Sequence, residues 1–439
     1  MADGGMGKHR PRRSRHHRRR LYGPPPLPGR RRGEEAGVPA HRPGREPDDS
    51  RAGRADRADG RPRDERDDAV DLRVAGAVRG AFEDVLRMTM EAVPVRAVTW
   101  RGLWLAPVVL GMTILAGTAI GETRLPFVTV LRTLANHLWG AGYPVDGIEA
   151  GIIWSYRLPR AVVAACCGAG LALTGVVLQA LLRNPLADPY LMGLSAGAST
   201  GAVLVTVAGL GGGAISMSLG ALTGALLAFG CVAVLARAVS GDVGGGRATQ
   251  AAAALILAGI AGSQLFNALT AFIIARSANA EQARGIMFWL MGNLSGIRWD
   301  DVGACMAVSV AGVALCLWHR RGLDAFTFGA DGAASLGINV RALRGSLIAA
   351  TAVMVGVLVS KVGAIGFVGL VVPHAMRFLV GARHDRLVPA SALAGAVFLV
   401  AADVISRILV PGQVLPIGVV TALVGAPAFA LILVHGARK

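Results

Sequence analysis

Four ionisable side chains lie inside long apolar stretches of the sequence: Lys361, His374, Asp403 and Arg407. Asp403 and Arg407 are four residues apart, so a helix would place both on one face. That spacing suits either a proton relay or mutual neutralisation of the two charges. A proton-coupled carrier would need more than one such pair, and mutual neutralisation is therefore at least as well supported.

The other reactive residues argue against an enzyme. The chain has three lysines, Lys8, Lys361 and Lys439, and none follows the glycine-rich loop that cradles ATP phosphates. The five cysteines fall in apolar runs without metal-ligand spacing, so we interpret them as small hydrophobic residues. We therefore predict that this chain does not hydrolyse ATP alone and has no catalytic residue, metal site or cofactor.

The elements that position these residues must be long apolar helices. Of the 439 residues, 53% are hydrophobic and 17% are charged. Residues 189–236 and 248–275 contain no Asp, Glu, Lys or Arg. A helix of about 20 apolar residues crosses about 30 Å of hydrocarbon, and a soluble domain needs no series of such runs. The fold class is therefore an all-α polytopic membrane protein.

We predict ten membrane-spanning helices, at residues 101–120, 160–182, 189–209, 214–239, 251–275, 302–319, 345–362, 366–382, 388–409 and 415–435. Residues 285–296 are too short to span and are predicted to form a partial or re-entrant helix. An even number of spans puts both termini on one side, and the basic tail favours the cytoplasmic side. Residues 96–439 are thus expected to form a ten-helix domain in the cell membrane, with both termini cytoplasmic.

Residues 1–95 have a different composition, rich in Arg, Pro, Gly and Asp. They contain too little apolar surface to offset the entropy of ordering, so we predict a disordered basic leader, placed in the cytoplasm. Such a leader could bind anionic lipid or nucleic acid nonspecifically, and we predict no specific nucleic-acid partner. Met88 and Met90 precede the apolar body, which leaves open whether residues 1–87 belong to the native protein.

An ordered series of motifs runs through the apolar part. It includes Arg157-Leu158-Pro159-Arg160, Arg183-Asn184-Pro185-Leu186-Ala187-Asp188-Pro189, Gly329-Ala330-Asp331-Gly332, Gly366-Phe367-Val368-Gly369 and Pro416-Ile417-Gly418. Over roughly residues 100–435 this series resembles the FecCD-type permease family, the membrane subunits of ABC importers for iron–siderophores, haem and cobalamin. The motifs are specific for the family but not for the substrate.

The resemblance implies a ten-helix bundle like that of cobalamin-importer permeases, and it implies partners. These are two cytoplasmic ATP-binding subunits, an extracytoplasmic substrate-binding protein, a second permease subunit and membrane lipid. The second permease would make either a homodimer or a related heterodimer. Iron–siderophore is the expected cargo, with cobalamin or haem as alternatives, and a secondary carrier is the less favoured class.

The resemblance also implies roles for arginines. Arg157, Arg160 and Arg407 match family residues that dock to acidic residues of the binding protein, and a guanidinium fork suits a carboxylate. The alternative is that these side chains extend to lipid phosphates at the interface.

A loop between spans six and seven, about residues 324–344, matches the element that couples the permease to its ATPase. Its candidate residues are Gly329, Asp331, Ala333, Leu336 and Gly337. We expect a short helix over 333–336 between turns at Gly332 and Gly337. The alternative is a plain surface loop.

Further candidates are small or helix-breaking residues that would shape the translocation pathway or the dimer seam: Gly193, Gly197, Gly366, Gly369, Pro373 and His374. Pro373 should break its span and free backbone carbonyls that need partners. We expect His374 to be a hydrogen-bonded packing residue rather than a switch or an iron contact. Val414 stands where family members often carry Glu, and Ala364 where Pro is common, which leaves the choice between homodimer and heterodimer open.

Overall fold

The structure is a computed structural model, and it describes residues 105–436 apart from 124, 208, 210–215, 241–247 and 277–279. The predicted leader, residues 1–95, lies outside the described residues. Within them the secondary structure is helical, with one isolated β-bridge between Val410 and Gln413.

Fifteen α-helices are formed by the described residues. They are α1 Ala106–Ala119, α2 Phe127–Trp139, α3 Gly147–Gly151, α4 Leu158–Leu181, α5 Leu194–Thr206, α6 Met217–Ser240, α7 Ala248–Ala275, α8 Ala280–Leu290, α9 Trp299–Trp318, α10 Arg320–Phe326, α11 Ala330–Ser335, α12 Val340–Val362, α13 Val368–Val380, α14 His384–Ile408 and α15 Ile417–Gly436.

Each of the ten predicted spans contains an apolar helix. Six helices are long and apolar enough to cross a membrane, and four further apolar helices, α1, α5, α13 and α15, contribute shorter segments. The third predicted span, 189–209, is shorter than expected because Gly193 adopts φ +75° and separates a 3-10 turn, Pro189–Met192, from α5. Apolar composition continued across this break, so hydropathy could not locate it.

Several short helices were not predicted. Helix α2 follows Pro126 and ends at Gly140, whose φ of +65° is the left-handed conformation common after a helix. Its sequence mixes apolar and polar residues, so it escaped a search for long apolar runs. A π-helical segment, Ile152–Arg157, joins α3 to α4. The expected partial helix at 285–296 is α8, which ends at Leu290.

Helix α4 lies at the centre of the bundle. It packs against α1, α9, α12, α13 and α14, and 20 of its 24 residues are buried. A helix surrounded on all sides must be apolar all round rather than amphipathic, which explains the absence of charges between residues 161 and 182.

Glycine pairs bring α4 close to its neighbours. A Cβ built on Gly168 would lie 2.6 Å from the carbonyl carbon of Gly395 in α14, and one on Gly175 would lie 2.6 Å from that of Gly369 in α13. Small residues permit such backbone contact in membranes, where lipid provides no hydrophobic force between helices. These two helix crossings fix the positions of α13 and α14 relative to α4, and therefore the positions of the ends of the three helices.

Candidate functional site

Two of the predicted arginines form one buried cluster with Asp403. Arg160 lies in the first turn of α4, whereas Asp403 and Arg407 share the last turns of α14. Arg160 Nε donates a hydrogen bond to Asp403 Oδ1 at 2.7 Å, and Arg407 Nη2 lies 3.0 Å from Asp403 Oδ2. The ion pair of Asp403 with Arg407 agrees with mutual neutralisation, one of the two interpretations of their spacing. The structure adds Arg160, which lies 243 residues away in sequence and could not be paired by spacing.

The third arginine, Arg157, lies next to this cluster but has different partners. Its guanidinium donates to the carbonyl oxygens of Ala119 at 3.0 Å and Thr123 at 2.7 Å, and to the Thr123 hydroxyl at 2.8 Å. Arg407 Nη2 likewise donates to the carbonyl oxygen of Gly117 at 2.8 Å. The two arginines therefore satisfy carbonyls at the C-terminal end of α1, which has no intrahelical donors for them.

The arginine cluster, defined as Arg157, Arg160, Arg407 and Asp403, is enclosed by protein. The exposed fractions of Arg157, Arg160 and Arg407 are 3%, 1% and 2%. Extension of these side chains to lipid phosphates is not favoured, because that requires an exposed guanidinium. The cluster contains three guanidinium groups against one carboxylate, and both Arg407 Nη1 and Asp403 Oδ2 are buried without a hydrogen-bond partner.

The predicted coupling segment, residues 324–344, contains a short helix that differs from the expected one. Helix α11 spans Ala330–Ser335 and so includes Gly332, where we expected a turn. The turn is instead at Gly329, whose φ of +92° suits glycine. The turn at Gly337 is confirmed: Ile338 N donates to Ala333 O and Gly337 N to Ala334 O, the hydrogen-bond pattern of a Schellman cap.

The candidate coupling residues divide by exposure. Ala333 is 0% exposed and packs within the chain, whereas Leu336 is 66% exposed and the neighbouring Phe328 is 76% exposed. Asp331 and Gly337 are also exposed. Ala333 therefore holds α11 in place, and Leu336 with Phe328 forms an apolar surface on this segment.

The prediction that Pro373 breaks its span is wrong, because α13 continues from Val368 to Val380 with Pro373 inside it. A residue of α4 supplies the hydrogen bond that the helix loses there. Pro373 has no N–H, so the carbonyl oxygen of Gly369 lacks its helical donor. Gln179 Nε2 supplies donors to the carbonyls of Gly369 at 3.2 Å and Leu370 at 3.3 Å. Gln179 Oε1 in turn accepts a hydrogen bond from Arg377 Nη1. The freed carbonyls that the sequence predicted thus have a partner.

The expectation that His374 is hydrogen-bonded is wrong for its Nδ1, which is buried and has no hydrogen-bond partner in the structure. The ring packs edge-on against Phe378, with 5.2 Å between centroids. Gln179, and not His374, supplies the hydrogen bond that the Gly369 carbonyl oxygen loses at Pro373. His374 is therefore a packing residue. Among the described residues no group of three or more His, Cys, Asp or Glu side chains could hold a metal ion.

A non-helical stretch, residues 363–367, separates α12 from α13. The backbone N–H of Ile365 donates to the Tyr190 hydroxyl, which donates to the Ile365 carbonyl oxygen at 2.6 Å. Asp188 Oδ1 caps the turn that carries Tyr190, accepting from Tyr190 N at 2.8 Å. Burial raises the pKa of the Asp188 carboxyl to about 6. Irregular backbone within a bundle needs such partners, and the sequence analysis did not identify Tyr190 as one.

The predicted pathway glycines occupy different environments. Gly197 in α5 faces the backbone of Gly224 in α6, and a Cβ on Gly369 would meet Pro189 Cδ at 2.8 Å. Gly193 faces Val232 at 3.3 Å, whereas Gly366 has no atom within 4 Å of a built Cβ. Close contacts inside the chain explain why Gly197, Gly369 and Gly193 are small residues. Gly366 has no such contact and stays a candidate for the pathway or the dimer seam.

Ten apolar helices, a buried arginine cluster and an exposed short-helix segment define a multi-pass membrane protein with the architecture of a transporter permease. The FecCD transport family profile matches residues 109–435. The chain belongs to the FecCD transport family, and it is a permease subunit of an ABC transporter.

Relatives and a solved structure agree with this assignment. The chain is 36% identical over 333 residues to the uncharacterized ABC transporter permease protein YvrB of Bacillus subtilis, covering 75% of this chain and 92% of that protein. It is 41% identical over 283 residues to the cobalamin import system permease protein BtuC of Halobacterium salinarum, covering 64% and 73%. A metal-chelate type ABC transporter solved in an inward-facing conformation is 30% identical, with a TM-score of 0.64 and coverage of 77% of this chain and 100% of that chain.

Proposed function

We propose that this chain forms the pathway of an importer that brings a metal chelate into the cytoplasm, driven by ATP hydrolysis on separate subunits. The match to the FecCD family over residues 109–435 carries the proposal. The similarity to a metal-chelate type transporter supports the class of cargo. A polar chelate cannot cross about 30 Å of hydrocarbon unaided, so a dedicated helical pathway is required.

The proposal includes the partners that the family implies. Two ATP-binding subunits act from the cytoplasm, a binding protein delivers the chelate from outside, and a second permease subunit, identical or related, completes the pathway. Both termini are then cytoplasmic, and the 324–344 segment faces the ATP-binding subunits. The exposed Phe328 and Leu336 support this placement, because an apolar pair at 76% and 66% exposure suits burial by a partner.

Iron–siderophore is the cargo that the sequence analysis favours. Cobalamin is the second candidate, because the named import permeases of Halobacterium salinarum and Salmonella typhimurium are 41% and 37% identical to this chain. Deleting the gene and measuring uptake of radiolabelled cyanocobalamin and of ferric siderophores separates the two. Loss of ferric siderophore uptake alone supports the first, and loss of cobalamin uptake alone supports the second. Unchanged uptake of both would leave haem, the third candidate, and unchanged uptake of haem as well would contradict metal-chelate import.

We propose the arginine cluster as the docking point for acidic residues of the binding protein. Its excess of guanidinium groups and the unpartnered Arg407 Nη1 support an anionic partner. Because the three side chains are buried, docking requires a local opening that exposes them. Substituting Arg160 or Arg407 would also break the internal pair with Asp403, so Arg157 gives the cleaner test.

Arg157→Gln should weaken binding-protein affinity at least about tenfold, since one charge-assisted hydrogen bond contributes about 1.5–3 kcal/mol. Arg132→Gln, which changes an exposed arginine on α2, is the matched control and should leave affinity within about twofold. Affinity is measured by surface plasmon resonance on permease in nanodiscs. Equal affinities for wild type and Arg157→Gln would remove Arg157 from the docking site.

The coupling role is tested at Leu336. Leu336→Asp places an unpaired charge at an apolar interface, which costs several kcal/mol and should abolish co-purification of the ATP-binding subunits. The side chain is exposed in the chain alone, so insertion and yield should not change. Ala333→Asp is unsuitable, because Ala333 is buried inside the chain. Intact co-purification of Leu336→Asp would contradict the coupling assignment.

A further inference from the structure

The 324–344 segment begins in α10, which packs against α14 and is hydrogen-bonded to it through Asp324 and His384. Asp324, in α10, accepts two hydrogen bonds at the same carboxylate oxygen, from the backbone N–H of His384 at 2.9 Å and from His384 Nδ1 at 2.7 Å. A carboxylate only accepts, so the His384 ring carries its proton on Nδ1. His384 is 2% exposed and Asp324 is partly exposed.

This contact also caps α14. The residue before the helix, Arg383, makes no side-chain capping hydrogen bond. Asp324 therefore supplies, from a different element, the acceptor and negative charge that a helix N-terminus favours. The position of α10 and the first turn of α14 thus depend on each other.

The opposite end of α14 belongs to the arginine cluster. Asp403 lies 19 residues after His384, or about 28 Å along a helix that rises 1.5 Å per residue. There its carboxylate binds Arg160 of α4 at 2.7 Å. Between the two ends, the Gly168 and Gly395 backbones fit against each other and hold α14 on α4. Helix α14, which continues through Pro389, therefore joins the two parts of the molecule for which partners are proposed.

We propose that Asp324 and His384 are positioning residues that transmit movement of the 324–344 segment through α14 to the arginine cluster. This inference rests on the proposed coupling role of that segment. Movement of α10 by the ATP-binding subunits displaces the first turn of α14, and a packed helix transmits the displacement as a unit. Opening of the cluster at the other end then depends on the Asp324–His384 contact.

Hydrogen–deuterium exchange on the assembled permease–ATPase complex tests the proposal without knowledge of the cargo. Wild type is compared with and without ATP and vanadate, in peptides covering 324–344 and 400–412. We expect the nucleotide to change exchange in both regions. In Asp324→Ala the change in 324–344 should persist, while the change in 400–412 should fall about tenfold, because the hydrogen bonds that link α10 to α14 are lost.

Two further variants separate positioning from folding. Asp324→Asn keeps one acceptor oxygen and should retain an intermediate response in 400–412. Arg383→Ala removes the neighbouring ion pair, at 2.9 Å, between the exposed Arg383 and the largely buried Asp385, and should respond like wild type. His384→Ala combined with Asp324→Ala should be no more severe than either change alone, because both remove the same contact.

Three outcomes would overturn the inference. They are an unchanged 400–412 response in Asp324→Ala, no nucleotide response of 400–412 in wild type, or a general rise of exchange throughout α14 in both Asp324 variants. The last result would show a role in stability alone. Failure of the proposed coupling role is recognised separately, because Leu336→Asp would then still bind the ATP-binding subunits.

Discussion

The crossing of α4 and α14 predicts a large effect from a single methyl group. In Gly168→Ala the new Cβ would lie 2.6 Å from the carbonyl carbon of Gly395 and 2.9 Å from Leu399 Cβ, whereas ordinary contacts begin at 3.4 Å. The carbonyl is backbone and cannot rotate away. The two helices must therefore separate by more than about 0.8 Å, the difference between 3.4 and 2.6 Å, because the Gly395 carbonyl oxygen lies nearer still.

The cost of this separation follows from the packing of the core. Inserting a methyl group into a well-packed core typically costs about 1–3 kcal/mol. Alanine in a helix interior otherwise gains up to about 1 kcal/mol over glycine. Gly303→Ala in α9, where no atom lies within 4 Å of a built Cβ, provides a control that has the helical gain without the clash.

Unfolding of both variants is followed by circular dichroism in mixed micelles of increasing SDS fraction. Gly168→Ala should unfold at lower SDS than wild type, and Gly303→Ala at the same or higher SDS. The spacing of α4 and α14 also positions Asp403 against Arg160, so transport by Gly168→Ala should fall as well. If the two variants have equal midpoints, the close backbone contact does not stabilise the bundle and the reasoning is refuted.

Other predictions follow from individual contacts. Asp403→Asn leaves two buried guanidinium groups without a counter-charge and should lower the free energy of unfolding by about 3–5 kcal/mol, measured by the same SDS titration. Asp301→Asn is the control, because its ion pair with Lys361 is partly exposed, and an equal loss in both variants would contradict this prediction. Tyr190→Phe removes the partner of the Ile365 backbone and should cost about 1–3 kcal/mol, with faster hydrogen exchange in 363–367; unchanged exchange there would show that the hydroxyl is dispensable. Deleting residues 2–87 should leave uptake within about twofold of the full chain, and a tenfold loss at normal expression would refute the leader prediction.

The sequence predicted the family and the ten apolar helices because both depend on local information. Hydropathy measures composition over one segment at a time, and the motif series is read in chain order. The same locality explains the errors. The break at Gly193 and the start of α11 at Gly329 depend on backbone conformations that leave apolar composition unchanged.

Contacts between distant residues were beyond the sequence alone. The spacing of four residues was enough to pair Asp403 with Arg407, but no local pattern pairs Asp403 with Arg160. The same is true of Asp324 with His384, and of Gln179 with the carbonyl freed by Pro373. The contacts of Arg160 with Asp403 and of Gln179 with Gly369 form where α4 crosses α14 and α13 at glycines. These crossings bring the helix backbones together and leave polar groups that a neighbouring helix satisfies. Composition and motif order therefore determined that this protein spans a membrane as a FecCD permease, and helix packing alone decided that its predicted docking arginines are buried and bound to its own backbone and to Asp403.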